Sequence, residues 1–386
     1  MKMKKFFAMM LSAVMVLGLL AGCGADKPAG DSGSAVFKLG STGPLTGDYA
    51  IYGTAVMNGI QIAVDEINAK GGDIQFSFQS QDDVGDPETA VNAYNALMDD
   101  GMQILVGTVT SGACIAVADK TYAERVFTLT PSGSSSDITK GKDNVFQVCF
   151  SDPNQGSGSA VYMANNMPDA KVAIIYRNDD AYSQGIRDTF AAKATELGIE
   201  VVYEGTFTKD TSSDFSVQLT AAKSAGADLL FLPIYYQPAS VILNQANAMG
   251  YAPTFFGVDG MDGILTMEGF NTELAEGVML LTPFSADAED ERTQNFVATY
   301  EERHGEIPNQ FAADGYDAVY IVYEALQKAG CTPDMSAQDI CEALVAAITS
   351  ISYDGITGQG LTWTANGEVS KDPLAVVIQN GVYVTP

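Results

Sequence analysis

The chain has 386 residues, 46% of them hydrophobic and 18% charged, a composition that excludes an intrinsically disordered protein and a polytopic membrane protein. Lys and Arg number 20 against 48 Asp and Glu, for a formal net charge of −28. Such a surface repels phosphate backbones and anionic lipid headgroups, which excludes nucleic acid as a partner. At ~100–200 residues per domain the length predicts two lobes, each large enough to bury its own core.

Lys2, Lys4 and Lys5 precede an apolar run over residues 6–20. The run is too short to span a bilayer comfortably and reads as the core of a signal peptide covering residues 1–22. The small residues of Leu20-Ala21-Gly22 before Cys23 resemble a bacterial lipobox. That resemblance implies cleavage before Cys23 and lipid attachment to its sulfur, which would tether the protein on the extracytoplasmic side of the cell membrane. The following residues, rich in Gly, Ala, Ser and Asp, make 23–35 a flexible tether.

From residue 36 short β-rich apolar runs alternate with helical patterns. Residues 36–41 read as a strand, and Val56, Ile60, Ala63, Val64 and Ile67 then recur at helical spacing. A strand at 74–79, a helix after Pro87, a buried strand at 104–107, a helix over 113–124 and strands at 126–129 and 145–150 continue the series. A second series begins near Asp152. It comprises helices over 154–166, 182–197, 214–225 and 239–249, and strands over 171–176, 201–207, 229–233 and 254–257; Thr211 with Asp214 resembles a capping box. The rhythm predicts an α/β fold of two Rossmann-like lobes with parallel-rich sheets. Three further helices, over 290–303, 312–329 and 337–349, have no strand between them and are expected to pack on one of the two lobes, before short strands near Leu361 and Val376. The chain would then cross between the lobes more than once, forming a hinge over a cleft.

No GxSxG, GxxxxGK[ST] or HExxH motif occurs, and the single histidine, His304, suits a helix C-terminus just before Gly305. Besides Cys23 there are four cysteines and no CxxC spacing, so neither a zinc site nor another cofactor is expected; Cys331 and Cys341 read as a disulfide or as two buried thiols. The predicted strand ends carry hydroxyls, glycine, tyrosine and one acid instead. Gly107-Thr108-Val109-Thr110-Ser111-Gly112 joins a strand to a helix, whose N-terminus with hydroxyl donors suits a carboxylate; Thr130-Pro131-Ser132-Gly133-Ser134-Ser135 repeats the arrangement on the next strand. In the second series Asp259 follows a strand and suits an ammonium group, while Tyr182 and Tyr235 offer walls and hydroxyls. Arg177 is read as pairing with Asp179 or Asp180, or as meeting an acidic ligand.

Several segments, in order and spacing, resemble the type I substrate-binding proteins of ABC transporters, in particular the branched-chain amino-acid group. They are Gly43-Pro44-Leu45-Thr46-Gly47 with Tyr52-Gly53 and Asn58-Gly59, Asp65-Glu66-Ile67-Asn68, Asp82-Asp83 with Asp86-Pro87, the two hydroxyl turns, Asp214-Phe215 with Gln218-Leu219, Tyr316-Asp317-Ala318, and Tyr353-Asp354-Gly355-Ile356-Thr357-Gly358. The resemblance implies a three-crossover hinge near Asp152, Pro283 and Thr357. Lobe 1 would then hold residues 36–151 plus 283–357, and lobe 2 residues 152–282 plus 358–386. It further implies a ligand carboxylate on Ser111, Ser132 and Ser134, an ammonium on Asp259, and walls from Tyr52, Tyr182 and Tyr235. A small neutral amino acid would be captured without catalysis and passed to an ABC permease. A sensor of the same fold that signals to a membrane partner is the alternative, and an enzyme using Asp259 or Asp179 as general base is a third reading.

Overall fold

The structure, a computed structural model, describes residues 36–385; the signal segment and Cys23 lie outside the described residues. In the first half, β1 (Phe37–Gly43), α1 (Ala50–Lys70), β2 (Phe76–Asp82), α2 (Pro87–Asp99), β3 (Ile104–Leu105), α3 (Ser111–Glu124), β4 (Phe127–Thr130), α4 (Ser136–Thr139) and β5 (Val145–Gln147) build a parallel sheet in the order β2-β1-β3-β4-β5. The runs that form β3, β4 and β5 are buried at every position, as strands covered on both faces require.

The second half continues with α5 (Asp152–Asn166), β6 (Lys171–Arg177), α6 (Ala181–Leu197), β7 (Glu200–Phe207), α7 (Ser216–Ser224), β8 (Leu229–Leu232), α8 (Tyr236–Ala248), β9 (Thr254–Gly257) and β10 (Met279–Thr282). Then come α9 (Glu291–His304), α10 (Gln310–Ala329), α11 (Ala337–Ile348), β11 (Leu374–Gln379) and β12 (Val382–Val384). The second sheet runs β12-β11-β10-β9-β8-β6-β7, parallel from β7 to β10 and antiparallel at the β11–β12 edge. The capping box lies at Thr208 and Thr211, around a short 3₁₀ turn, and not at Thr211 with Asp214 as expected.

The three late helices serve the first sheet: α10 packs along α1, and α11 against α10 and β4. Two glycines allow the close crossing of α1 and α10. A Cβ on Gly59 would lie 1.9 Å from the Ala312 carbonyl oxygen, and one on Gly315 would lie 2.5 Å from that of Val56. The third passage between the sheets comes later than the Thr357 expected from the sequence. Trp363 Nε1 donates to Gln147 O at 2.8 Å, and Gln147 N donates to Gly367 O. Lys371 reaches Asp314 of α10 at 3.1 Å. Residues 358–371 therefore stay with the first sheet, and the chain moves to the second only before β11. These residues form isolated bridges, Tyr353 with Leu361 and Trp363 with Val369, in place of a strand near Leu361.

Candidate ligand-binding site

Six loops at the carboxyl ends of parallel strands converge on one pocket, the place where open α/β sheets bind small molecules. Its lining includes Tyr52, Ser111, Ser132, Ser134, Tyr182, Tyr235 and Asp259. All seven pocket residues expected from the sequence are thus brought together, those after β1, β3 and β4 facing those after β6, β8 and β9. The pocket is nearly closed in this structure, with about 10 Å³ of free volume, roughly the space one water needs.

On the first-sheet side the three serines are not equivalent. Ser111 opens α3 as its first helical residue and is not the cap; that position belongs to Thr110, which makes no side-chain cap bond. Its Oγ accepts from Ser134 N and Ser135 N, both at 3.3 Å, so its proton stays free. Ser134 Oγ is buried without a hydrogen-bond partner. Ser132 departs from the expected donor role, because its hydroxyl donates to Val109 O at 2.9 Å and keeps only lone pairs for the pocket. The leading N–H groups of α3, which helix geometry leaves without intrahelical partners, add partial positive charge on this side. No Lys, Arg or His is in the lining.

On the opposite side Asp259 begins a 3₁₀ turn directly after β9 and is 3% exposed. Tyr182 donates its hydroxyl to Oδ1 at 2.5 Å, Asp259 N donates to Gln155 Oε1 at 3.2 Å, and Gln310 Nε2 donates to Asp259 O at 2.8 Å. Burial pushes the Asp259 carboxyl up to about 7, against the opposing pull of the Tyr182 hydroxyl and the nearby Gln155 amide; Asp314 adds to the rise. Tyr182 stacks on Tyr235 with ring centres 4.7 Å apart, and Tyr52 packs edge-on to Tyr236 at 5.0 Å and against Phe311 at 4.4 Å. The Tyr52 hydroxyl joins the two sides, donating to Gly260 O and accepting from Tyr236 N at 3.1 Å.

Residues 36–381 match the model of a family described as periplasmic binding protein. The chain belongs to that family. A Leu/Ile/Val-binding protein, BraC3 of Rhizobium johnstonii, is 32% identical over 302 residues, covering 78% of this chain and 81% of the relative. Among solved structures, the leucine binding protein LivK of Thermotoga maritima superposes with a TM-score of 0.81 at 28% identity, covering 91% of this chain and 98% of that one. The branched-chain amino acid transporter substrate binding protein LivJ of Streptococcus pneumoniae, in complex with isoleucine, gives 0.80 at 29% identity, covering 91% and 100%.

Around the pocket of this periplasmic binding protein lie residues that the sequence reading missed. Val109, Thr110, Gly260 and Phe311 also line it. Asp152 and Gln155 stand behind it on the first turn of α5. Both Asp152 oxygens and Gln155 Nε2 are buried without hydrogen-bond partners, and burial holds the Asp152 carboxyl well above the usual range, with the nearby Ser134 hydroxyl opposing. Their i, i+3 spacing was the available signal, since it puts both on one helix face. Arg177 takes the pairing alternative, bound to Asp179 at 2.6 Å and to the Tyr49 hydroxyl at 3.1 Å. His304 ends α9 beside the Tyr300 ring. Cys331 and Cys341 are free thiols.

Proposed function

We propose that the pocket receives a free α-amino acid with a small neutral side chain, branched-chain or otherwise aliphatic, and that the protein presents it to an ABC permease. The observation that carries this reading is the division of the pocket: the uncommitted proton of Ser111 and the unpartnered hydroxyl of Ser134 with a helix N-terminus on one side, and a single buried carboxyl, Asp259, on the other. A zwitterion bears opposite charges on one carbon and would satisfy both sides at once. Charge-assisted hydrogen bonds contribute roughly 1.5–3 kcal/mol each, and several together reach about −8 kcal/mol, a micromolar affinity, after the ordering cost. In this reading Ser132 positions Val109 while Tyr52, Tyr182 and Tyr235 wall the side chain. Hinge closure follows because the contacts need both lobes. The relatives named for leucine, isoleucine and valine support the aliphatic assignment.

The reading extends to location and chemistry. Cys23 carries lipid and holds the protein outside the cytoplasmic membrane, and the site binds without catalysis. Among the described residues no helix is long and apolar enough to cross a membrane. Calorimetry with the amino-acid panel tests the assignment, with leucine, isoleucine or valine expected to bind at micromolar concentration. Leucinamide and 4-methyl-2-oxopentanoate, each lacking one ionic end, are expected to fail. Silence across the panel, or equal binding of either analogue, refutes the zwitterion reading.

A further inference from the structure

Away from this pocket a second, larger cavity of about 470 Å³ opens where β10, β12 and the Ile264–Thr266 turn meet α9 and the chain leading into α10. Its volume falls within the roughly 300–1,000 Å³ range of small-molecule sites. The walls are mainly apolar, from Leu265, Leu280, Phe284, Val297, Pro308 and Tyr383. Exposed Ile307 and Val382 lie at its rim, so the cavity is reachable from solvent. Two features give it a polar end. Asp262 is 4% exposed, its carboxylate accepting from Gln310 N and Gly263 N at 2.9 and 2.8 Å and keeping further lone pairs. The buried Tyr383 hydroxyl lies beside the Asp262 carboxyl, close enough to oppose the rise that burial gives it, and makes no hydrogen bond of good geometry. Asp287 and Glu301 add two more carboxyls, and no Lys, Arg or His is in the lining.

We propose that this cavity is a second ligand site, distinct from the amino-acid pocket, for a small organic amine with an apolar body. The ammonium would donate to Asp262 and to the Tyr383 oxygen, and the alkyl or aryl body would cover the apolar wall. An anion finds no positive partner here and meets three carboxyls, so charge selects the amine over an acid of equal shape. The two sites share one turn: Asp259 faces the first pocket and Asp262, three residues on, faces the second. The inference stands on the second cavity; only the use of leucine to fill the first pocket in its test rests on the proposed function.

Thermal shift of the full chain with phenethylamine and with phenylacetate, with and without saturating leucine, tests it. The expected result is a concentration-dependent rise in melting temperature with phenethylamine and none with phenylacetate. Leu265→Trp, at a half-buried wall position, fills the cavity and is expected to abolish the rise, and Asp262→Asn to reduce it at least tenfold in concentration. Absence of a shift, equal shifts with both compounds, or a phenethylamine shift that survives Leu265→Trp overturns the proposal. A shift that leucine suppresses also overturns it, because it places the amine in the first pocket.

Discussion

If Asp259 meets the ligand ammonium, amino-acid binding must release a proton at and below neutral pH. Burial holds the free carboxyl at about 7, so it is largely protonated at pH 6, whereas the ammonium is received by the carboxylate. Below about 7 the apparent Kd therefore weakens by about tenfold per pH unit, each unit corresponding to about 1.4 kcal/mol. Binding at pH 6 is expected to be about 10-fold weaker than the high-pH limit, and at pH 5 about 100-fold weaker. The groups facing Asp259 do not offset this. Tyr182 donates to it and Gln155 accepts from its backbone N–H, both neutral groups, Asp314 opposes its ionisation, and burial holds the Asp152 carboxyl well above the usual range as well. Calorimetry in buffers of different ionisation enthalpy counts the proton directly, with close to one expected at pH 6 and fewer at pH 8. Asp259→Asn should flatten the pH profile and weaken binding by about 2–5 kcal/mol at pH 8. A Kd constant from pH 5 to 8 with no buffer-dependent enthalpy refutes the assignment of Asp259.

Tyr52→Phe removes the hydroxyl that joins the two sides of the pocket and leaves Gly260 O and Tyr236 N without it. The closed form should lose about 1–3 kcal/mol, read by calorimetry as roughly 5- to 150-fold weaker ligand binding; unchanged affinity would show that this bridge does not support closure. Asp152→Asn is expected to raise stability at pH 7 relative to pH 4. The wild-type carboxyl, raised by burial and facing Ser134, Asp259, Asp180 and Asp137, contributes stability below about pH 4 that is lost as pH rises through its folded value. Urea melts giving the same change at both pH values would contradict this. Lys371→Met leaves Asp314 and Thr357 without their buried cation and should cost about 3–5 kcal/mol in urea unfolding, whereas a loss under 1 kcal/mol would mean the pair is replaceable.

The parallel strands were legible where β3, β4 and β8 are buried throughout and read as plain apolar runs between helical patterns, whereas β10, equally buried, was passed over between the strand at 254–257 and the late helices. The convergence of Ser111, Ser134 and Asp259 was legible because each stands just past a strand end, where the fold forces side chains toward one pocket. What escaped depends on contacts between distant segments. Residues 358–371 have no strand period. What holds them to the first sheet is the bond from the Trp363 indole to Gln147 and the bond between Gln147 and Gly367, none of which has a local pattern. Ser132 and Ser134 look alike in sequence, yet one hydroxyl is taken by Val109 and the other is free. Asp152 before Pro153 reads as an ordinary acidic helix start; its burial without a partner arises only when α5 packs behind the serine turn.

Arg177 bears on the charge of the ligand. It stands at the end of β6, five residues before Tyr182 of the pocket, and a free guanidinium there would favour an acidic amino acid. Instead its Nε is bound to Asp179 at 2.6 Å and its Nη1 to the Tyr49 hydroxyl, and it is absent from the pocket lining. Bringing it to a ligand would mean breaking a charge-assisted pair and leaving Asp179 with only the Lys209 N–H. A ligand carboxylate on the serine side is then met by neutral donors alone, which suffices for one carboxylate beside a helix N-terminus. A second carboxylate on the side chain would find no cationic partner among Tyr52, Tyr182, Tyr235 and Phe311. The same aromatic walls, in a chain of net charge −28, select a zwitterion with an uncharged side chain over an acidic one.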